Sequence, residues 1–293
     1  MQWITKPSAP LAEAVRALAQ RIDKADAVLV GAGAGLSAAC GPAFDYSGRN
    51  FLDKFGDFHE RYGINDLYSG GFYPFPDAET RWAWWSRHIW YARYACPVGQ
   101  PYRDLVALLT GRDHFVITTN VDHQFQRAGL DKDRLFYTQG DYGLWQCSTP
   151  CHSRTYDNYD QVKAMVEQQH GLRIPTGLVP HCPVCGEEMS MNLRADNTFV
   201  EDAGWHVAAR HYHSYLDSLR DKKVVYLEIG VGGNTPGIIK YPFWRMALES
   251  RDATYAELNY SDILAPSDLG KRALLIQGDA AEARAQLRAE LGA

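Results

Sequence analysis

Residues 27–46 read AVLVGAGAGLSAACGPAFDY, and this stretch decides the fold. It opens with an apolar, partly β-branched run, and Gly31, Gly33 and Gly35 then let the backbone turn and approach a ligand without a Cβ in the way. Strand, tight turn and helix start follow in that order. Such an order aims backbone N–H groups and the positive end of a helix at one place, which suits a pyrophosphate. The spacing gives only part of G-x-G-x-x-G, because Leu36 or Ala38 stands where the third glycine belongs. An ordinary glycine-rich turn is therefore the competing reading.

Around this stretch, the composition is that of a globular chain. It has 293 residues, 46% hydrophobic and 22% charged, with a formal net charge of −5. Lys and Arg are scattered and no basic arm is present, so nucleic acid is not an expected partner. The N-terminal stretch lacks a basic region followed by an apolar one, and the longest apolar run is the glycine-broken one, so a cytoplasmic protein without a membrane segment is expected.

Before the turn, Leu11, Val15, Leu18 and Ile22 recur at helical spacing and predict a helix lying on the sheet. After it, the next strand of a βαβ unit is some eighty residues away. Residues 51–96 instead read as an aromatic-rich helical insertion with a loop at 68–76, where Trp82, Trp85 and Ile89 share a face that is more readily core than binding surface. Strands resume at 114–122, 134–140, 223–234, 253–259 and 272–280 as apolar runs ending in small or polar residues. With the first strand they make six, and intervening helical patterns place the chain in the doubly wound α/β class, with a parallel sheet and functional loops at the carboxyl edge.

Four of the six cysteines form two pairs, Cys147 with Cys151 and Cys182 with Cys185. These spacings predict a four-thiolate structural zinc site, closed to water and so not catalytic, with a redox disulfide as the alternative. Cys40 reads as a small buried residue. His206, His211 and His213 do not make a helical metal pair and read as a solvated helix face.

The residues GAGLSAACG (33–41), TTNVD with RAG (118–129), the paired cysteines, FVE (199–201), IGVGG (229–233), ELN (257–259) and GDAAEA (278–283) together resemble the sirtuin (Sir2) family over nearly the whole chain. The resemblance implies a Rossmann-like large domain, approximately 1–46, 97–143 and 203–293. It also implies a small domain built from a helical insertion (47–96) and a zinc module (144–202), with NAD as co-substrate in the cleft between them. It puts Gly33, Ala34, Gly35, Leu36 and Asp45 around the pyrophosphate and nicotinamide end. Thr119, Asn120, Asp122 and Gln139 then fall near the nicotinamide ribose and carboxamide, and Gly230, Gly232, Asn234, Asn259 and Asp279 near the adenosine end.

Two departures redirect the expected chemistry. PAFDY stands where deacylating sirtuins carry a run ending in arginine, so Tyr46 takes the arginine's place, and Gln139 replaces the family's catalytic histidine. An imidazole can take a proton near neutral pH whereas a primary amide cannot, and losing a general base costs on the order of a hundred- to ten-thousandfold. Departure of nicotinamide needs no such base, only an oriented, dry site. Gln139 with TTNVD and MNLR resembles the class M sirtuins, which implies a protein mono-ADP-ribosyltransferase, with a lipoyl-carrier protein as acceptor and a macrodomain hydrolase as partner. Asn120, Gln139 and Arg194 would then carry the transfer, Arg194 orienting the acceptor through its planar fork. An NAD glycohydrolase and a catalytically idle NAD or ADP-ribose sensor are the other expectations, and deacylation is not expected.

Overall fold

The computed structural model describes residues 2–41, 44, 46–233 and 236–292. Its centre is the strand Ala27–Ala32, every residue of which is buried. Val28 and Val30 face one apolar layer while Ala27 and Leu29 face another, so the side-chain period of two is spent on two cores. Helices Leu11–Asp23, Gln100–Leu109 and Ala280–Leu291 cover the first face, and Ala203–Ser218 and Lys240–Glu249 the second.

Across the six-stranded sheet the order is Ala273–Gln277, Thr254–Asn259, Val224–Ile229, Ala27–Ala32, His114–Thr118 and Leu135–Tyr137. All five neighbouring pairs are parallel. The chain leaves the first strand toward one edge and later returns to its other side. The switch point therefore lies between Ala27–Ala32 and Val224–Ile229, where doubly wound sheets open a crevice at the carboxyl ends of their strands.

The helical insertion comprises Gly48–Tyr62, Leu67–Gly71, Ala78–Ile89 and a π-helical turn Trp90–Tyr94. The expected loop at 68–76 thus begins as a helix, because the Asp66 side chain caps it by accepting the Ser69 N–H at 2.8 Å. Trp82, Trp85 and Ile89 are buried with Phe51, Phe55 and Phe58, as the stripe predicted.

The expected strand at 134–140 is two elements. Leu135–Tyr137 belongs to the large sheet, and Gly140–Cys147 opens a three-stranded antiparallel sheet with Tyr156–Asp157 and Met189–Leu193. Gly140 makes the transition at φ +92°, and a Cβ there would lie 1.9 Å from the Asn192 carbonyl oxygen. The sequence-based boundary at 143 therefore falls within a strand. The two insertions share one core, in which Trp82 meets Trp145 edge-on at 4.8 Å.

Candidate functional site

At the switch point three glycines pack backbone on backbone. A Cβ at Gly33 would lie 2.6 Å from the Gly230 oxygen, one at Gly35 2.7 Å from the Gly230 Cα, and Gly230 itself, at φ +60°, would press a Cβ to 2.4 Å from the Leu36 nitrogen. The Gly33 amide donates to Ile229 O at 3.0 Å and the Gly35 amide to Gly230 O at 2.9 Å. Two of the amides expected to face a phosphate thus hold the crevice shut beneath it, while Ala34 at the start of the short helix Ala34–Ala38 is exposed and Leu36 is buried. Asp45 and Asn234 lie outside the described residues.

The loop after His114–Thr118 is tied to this turn. Thr119 donates its amide to Ala32 O at 3.1 Å. The Asn120 side-chain amide donates to Gly33 O and to the Tyr102 hydroxyl, both at 2.9 Å. Asn120 thus does not simply project into the crevice; its NH2 group braces the glycine turn. Asp122 accepts from the Ser37 hydroxyl at 2.5 Å and from the Gln124 amide at 3.1 Å. Burial pushes the Asp122 carboxyl above its usual range, although the Ser37 and Gln124 bonds oppose the shift.

Gln139 and Arg194 are brought together by the second sheet. Gly140 pairs with Leu193 across its first register, and the Arg194 amide donates to the Gln139 carbonyl at 3.0 Å. The Arg194 guanidinium lies over the Phe199 ring at 4.7 Å and bonds Glu201, while its side chain remains 39% exposed. It is therefore anchored but reachable.

The sequence reading missed a cluster beside these residues. His123, at φ 62°, directs Nδ1 to the buried Asp141 carboxylate, which also accepts from Arg93 Nε at 2.9 Å and from the Gly143 amide at 2.7 Å. Burial favours the neutral acid, but the bond from His123, with the charges of His123 and Arg93, holds the Asp141 carboxyl below its ordinary value. Arg93 comes from the π-helical turn, so this cluster fastens the helical insertion to the loop carrying Asn120. Its only sequence signal was a histidine directly after TTNVD and an aspartate two residues past Gln139.

Toward the adenosine end, Asn259 donates to Val231 O at 3.2 Å, Gly278 donates to Asn259 O at 3.0 Å, and Asp279 caps helix Ala280–Leu291 through the Ala281 and Glu282 amides. Gly232 is exposed with open space around it. These residues converge on the carboxyl edges of three adjacent strands.

The four paired cysteines cluster with all Sγ atoms within 4.8 Å of one another. Cys147 and Cys185 are 3.6 Å apart and Cys151 and Cys182 3.7 Å. A tetrahedral zinc with Zn–S bonds of about 2.3 Å has sulfur–sulfur edges of about 3.8 Å, so the four thiols suit the ion and leave no open coordination position. Among the described residues no helix is long and apolar enough to cross a membrane.

No protein-family model matches the chain. Among curated proteins, it is 39% identical over 259 residues to the Staphylococcus aureus (strain Mu50) "Protein ADP-ribosyltransferase", covering 88% of this chain and 82% of the relative. It is 34% identical over 231 residues to the Fusarium oxysporum f. sp. cubense "Probable bifunctional ADP-ribose hydrolase/ADP-ribosyltransferase", covering 75% of this chain and 38% of that longer protein. Among solved structures, a Sir2 homologue–NAD complex matches 94% of this chain and 93% of its own with a TM-score of 0.61 at 18% identity. A Sir2 homologue variant bound to ADP-ribose matches 94% and 96% with a TM-score of 0.62 at 17% identity. The doubly wound sheet with two inserted modules is thus the Sir2 fold, and the chain belongs to the sirtuin family, among its protein ADP-ribosyltransferases.

Proposed function

We propose that the protein cleaves the nicotinamide glycosidic bond of NAD and transfers the ADP-ribose to a side chain of a protein acceptor. The observation that carries the reading is the placement of Gln139, which has no proton-accepting group, in main-chain contact with the anchored Arg194 at the end of the second sheet. A site so built orients reactants and supplies charge without activating a ribose hydroxyl.

In this reading the cleft divides the large domain (approximately 1–46, 97–143 and 203–293) from the two insertions. NAD lies across the switch point, with Gly33 to Leu36 under the phosphates, Thr119, Asn120 and Asp122 toward the nicotinamide ribose, and Gly230, Gly232, Asn259 and Asp279 toward the adenosine. Asp45 and Asn234 complete the set. Asn120 holds the turn and the ribose in one register, Gln139 hydrogen-bonds the ribose hydroxyls, and Arg194 presents its fork to the acceptor. Cys147, Cys151, Cys182 and Cys185 hold one structural zinc.

The name of the staphylococcal relative supports a protein acceptor. A lipoyl-carrier protein as that acceptor and a cytoplasmic location follow from the class M resemblance. The resemblance also pairs the enzyme with a macrodomain hydrolase; the fungal relative is named for both an ADP-ribose hydrolase and an ADP-ribosyltransferase. Incubation with NAD labelled in the adenylate moiety, with and without a lipoylated carrier protein, tests the proposal. Label on the carrier is expected. Free ADP-ribose alone would make the protein a glycohydrolase, intact NAD an idle sensor, and turnover of acyl-lysine peptides a deacylase, each overturning it.

A further inference from the structure

Helix Lys240–Glu249 is apolar on two sides. Phe243 and Ala247 turn inward and are buried in the second core of the large sheet. Tyr241, Trp244 and Leu248, again at helical spacing, line an open groove of about 680 Å³ between the helix and the strands Trp3–Ile4 and Ala265–Pro266. None of the residues proposed to bind NAD lines it. The Trp3 and Tyr241 rings lean on Trp244 at 5.2 and 5.3 Å, yet remain 44% and 54% exposed. A helix with apolar residues all round belongs in an interior, and Trp and Tyr packed side by side on a surface are common anchors of protein interfaces. Two charged residues also line the groove. Arg245 and Glu249 are exposed one helical turn apart, and neither side chain makes an ion pair or a hydrogen bond with any described residue. Within one chain their order, base before acid, is the weaker one for a pair four residues apart.

We infer that this groove is the contact face of a homodimer, its occupant being the same face of a second copy of the chain. Only a self-complementary surface can serve both sides of a twofold contact. With the twofold axis lying across the helix, the two copies of Lys240–Glu249 run antiparallel, and Arg245 of each chain meets Glu249 of the other. An axis along the helix would instead set Arg245 against Arg245 and Glu249 against Glu249. The charges thus choose the orientation, while the aromatic rings and Leu248, withdrawn from water on both sides, supply the attraction. A small apolar ligand would leave both charges unanswered, and an anionic membrane surface would repel Glu249.

Sedimentation velocity on the full-length protein, over a range of concentrations, is the test. The wild type should sediment with the mass of two chains at micromolar concentration, and its Tm should rise with concentration. Arg245→Glu and Glu249→Arg each set like charges opposite one another at two points of the contact and should weaken self-association about tenfold or more. Both side chains are exposed, so the variants should fold, which circular dichroism checks. Mixed together, the two variants should form a heterodimer, because one then presents only acids at these positions and the other only bases. The double variant should regain the homodimer, and Trp3→Ala should weaken association without any change of charge. A wild type that stays monomeric, single variants that dimerise as well as the wild type, or a mixture that fails to associate overturns the inference.

Discussion

Asn120 is where the structure most changes the expected consequence of a single substitution. At a strand end it promises little packing, so its loss should touch only the chemistry. Its amide, however, satisfies the Gly33 carbonyl and the Tyr102 hydroxyl, the latter fully buried. Asn120→Ala is therefore expected to lower the transfer rate about ten- to a thousandfold and also to cost on the order of 1–3 kcal/mol of stability. Single-turnover transfer, NAD calorimetry and thermal melting on wild type and variant separate the two effects. An unchanged melting temperature would mean the brace is not formed, and equal losses in NAD affinity and rate would make Asn120 a uniform binding contact. Much at this scale was legible in the sequence. The glycines, TTNVD and the four cysteines are local motifs whose chemistry follows from residue type and spacing. His123 and Asp141 were not legible, because the partners lie 18 positions apart across a chain reversal and no spacing rule links them.

Among the elements, the three-stranded sheet links the four cysteines to the residues proposed to carry the transfer. Cys147 ends the strand Gly140–Cys147 and pairs with Met189, while Gly140 at the other end pairs with Leu193, next to Gln139 and Arg194. The partner strand Met189–Leu193 covers the same two ends in four rises, about 13 Å, with the excess residues of Gly140–Cys147 taken up by a bulge, so zinc has no direct part in the chemistry but fixes the register of the two residues proposed for it. Chelating the metal, or Cys182→Ala, should remove one zinc per chain and abolish transfer. Amide exchange should rise in Gly140–Cys147 and Met189–Leu193 while Ala27–Ala32 and Val224–Ile229 stay protected. Full activity in folded, metal-free protein would refute this coupling. The parallel strands were read correctly because apolar runs buried on both faces stand out from their surroundings. The zinc-module strands were missed because MSMNL and GDYGLWQC neither alternate cleanly nor form an apolar run, and hold their shape through pairing and thiolates instead.

Over the whole molecule, the large sheet buries charge in its second core. Glu228 and Glu257 share Lys240, and the Tyr255 hydroxyl bonds both carboxylates at 3.1 and 3.3 Å. Burial raises Glu228 to about 7, with Lys240 opposing and Glu257 adding to the shift. The folded state therefore keeps a proton that the unfolded chain releases near 4.5. The stabilisation this proton gives is complete below about pH 4.5 and falls away as pH rises to about 7. Urea midpoints should accordingly decline between about pH 5 and 7.5, and Glu228→Gln should flatten that decline. A wild-type profile already flat, or unchanged by the substitution, would show that Glu228 does not hold the proton. The glycine contact at the switch point also bears on the order of synthesis. Gly33 and Gly35 close onto Ile229 and Gly230, and Ala27–Ala32 is flanked by strands from both later segments. At translation rates of about 5–20 residues per second, the first strand waits roughly 10–40 s on the ribosome for its second neighbour. Throughout that interval an apolar strand meant for two cores has an open edge, so nascent chains arrested before residue 224 are the species that chaperones must hold, and the nucleotide crevice is among the last features of the protein to exist.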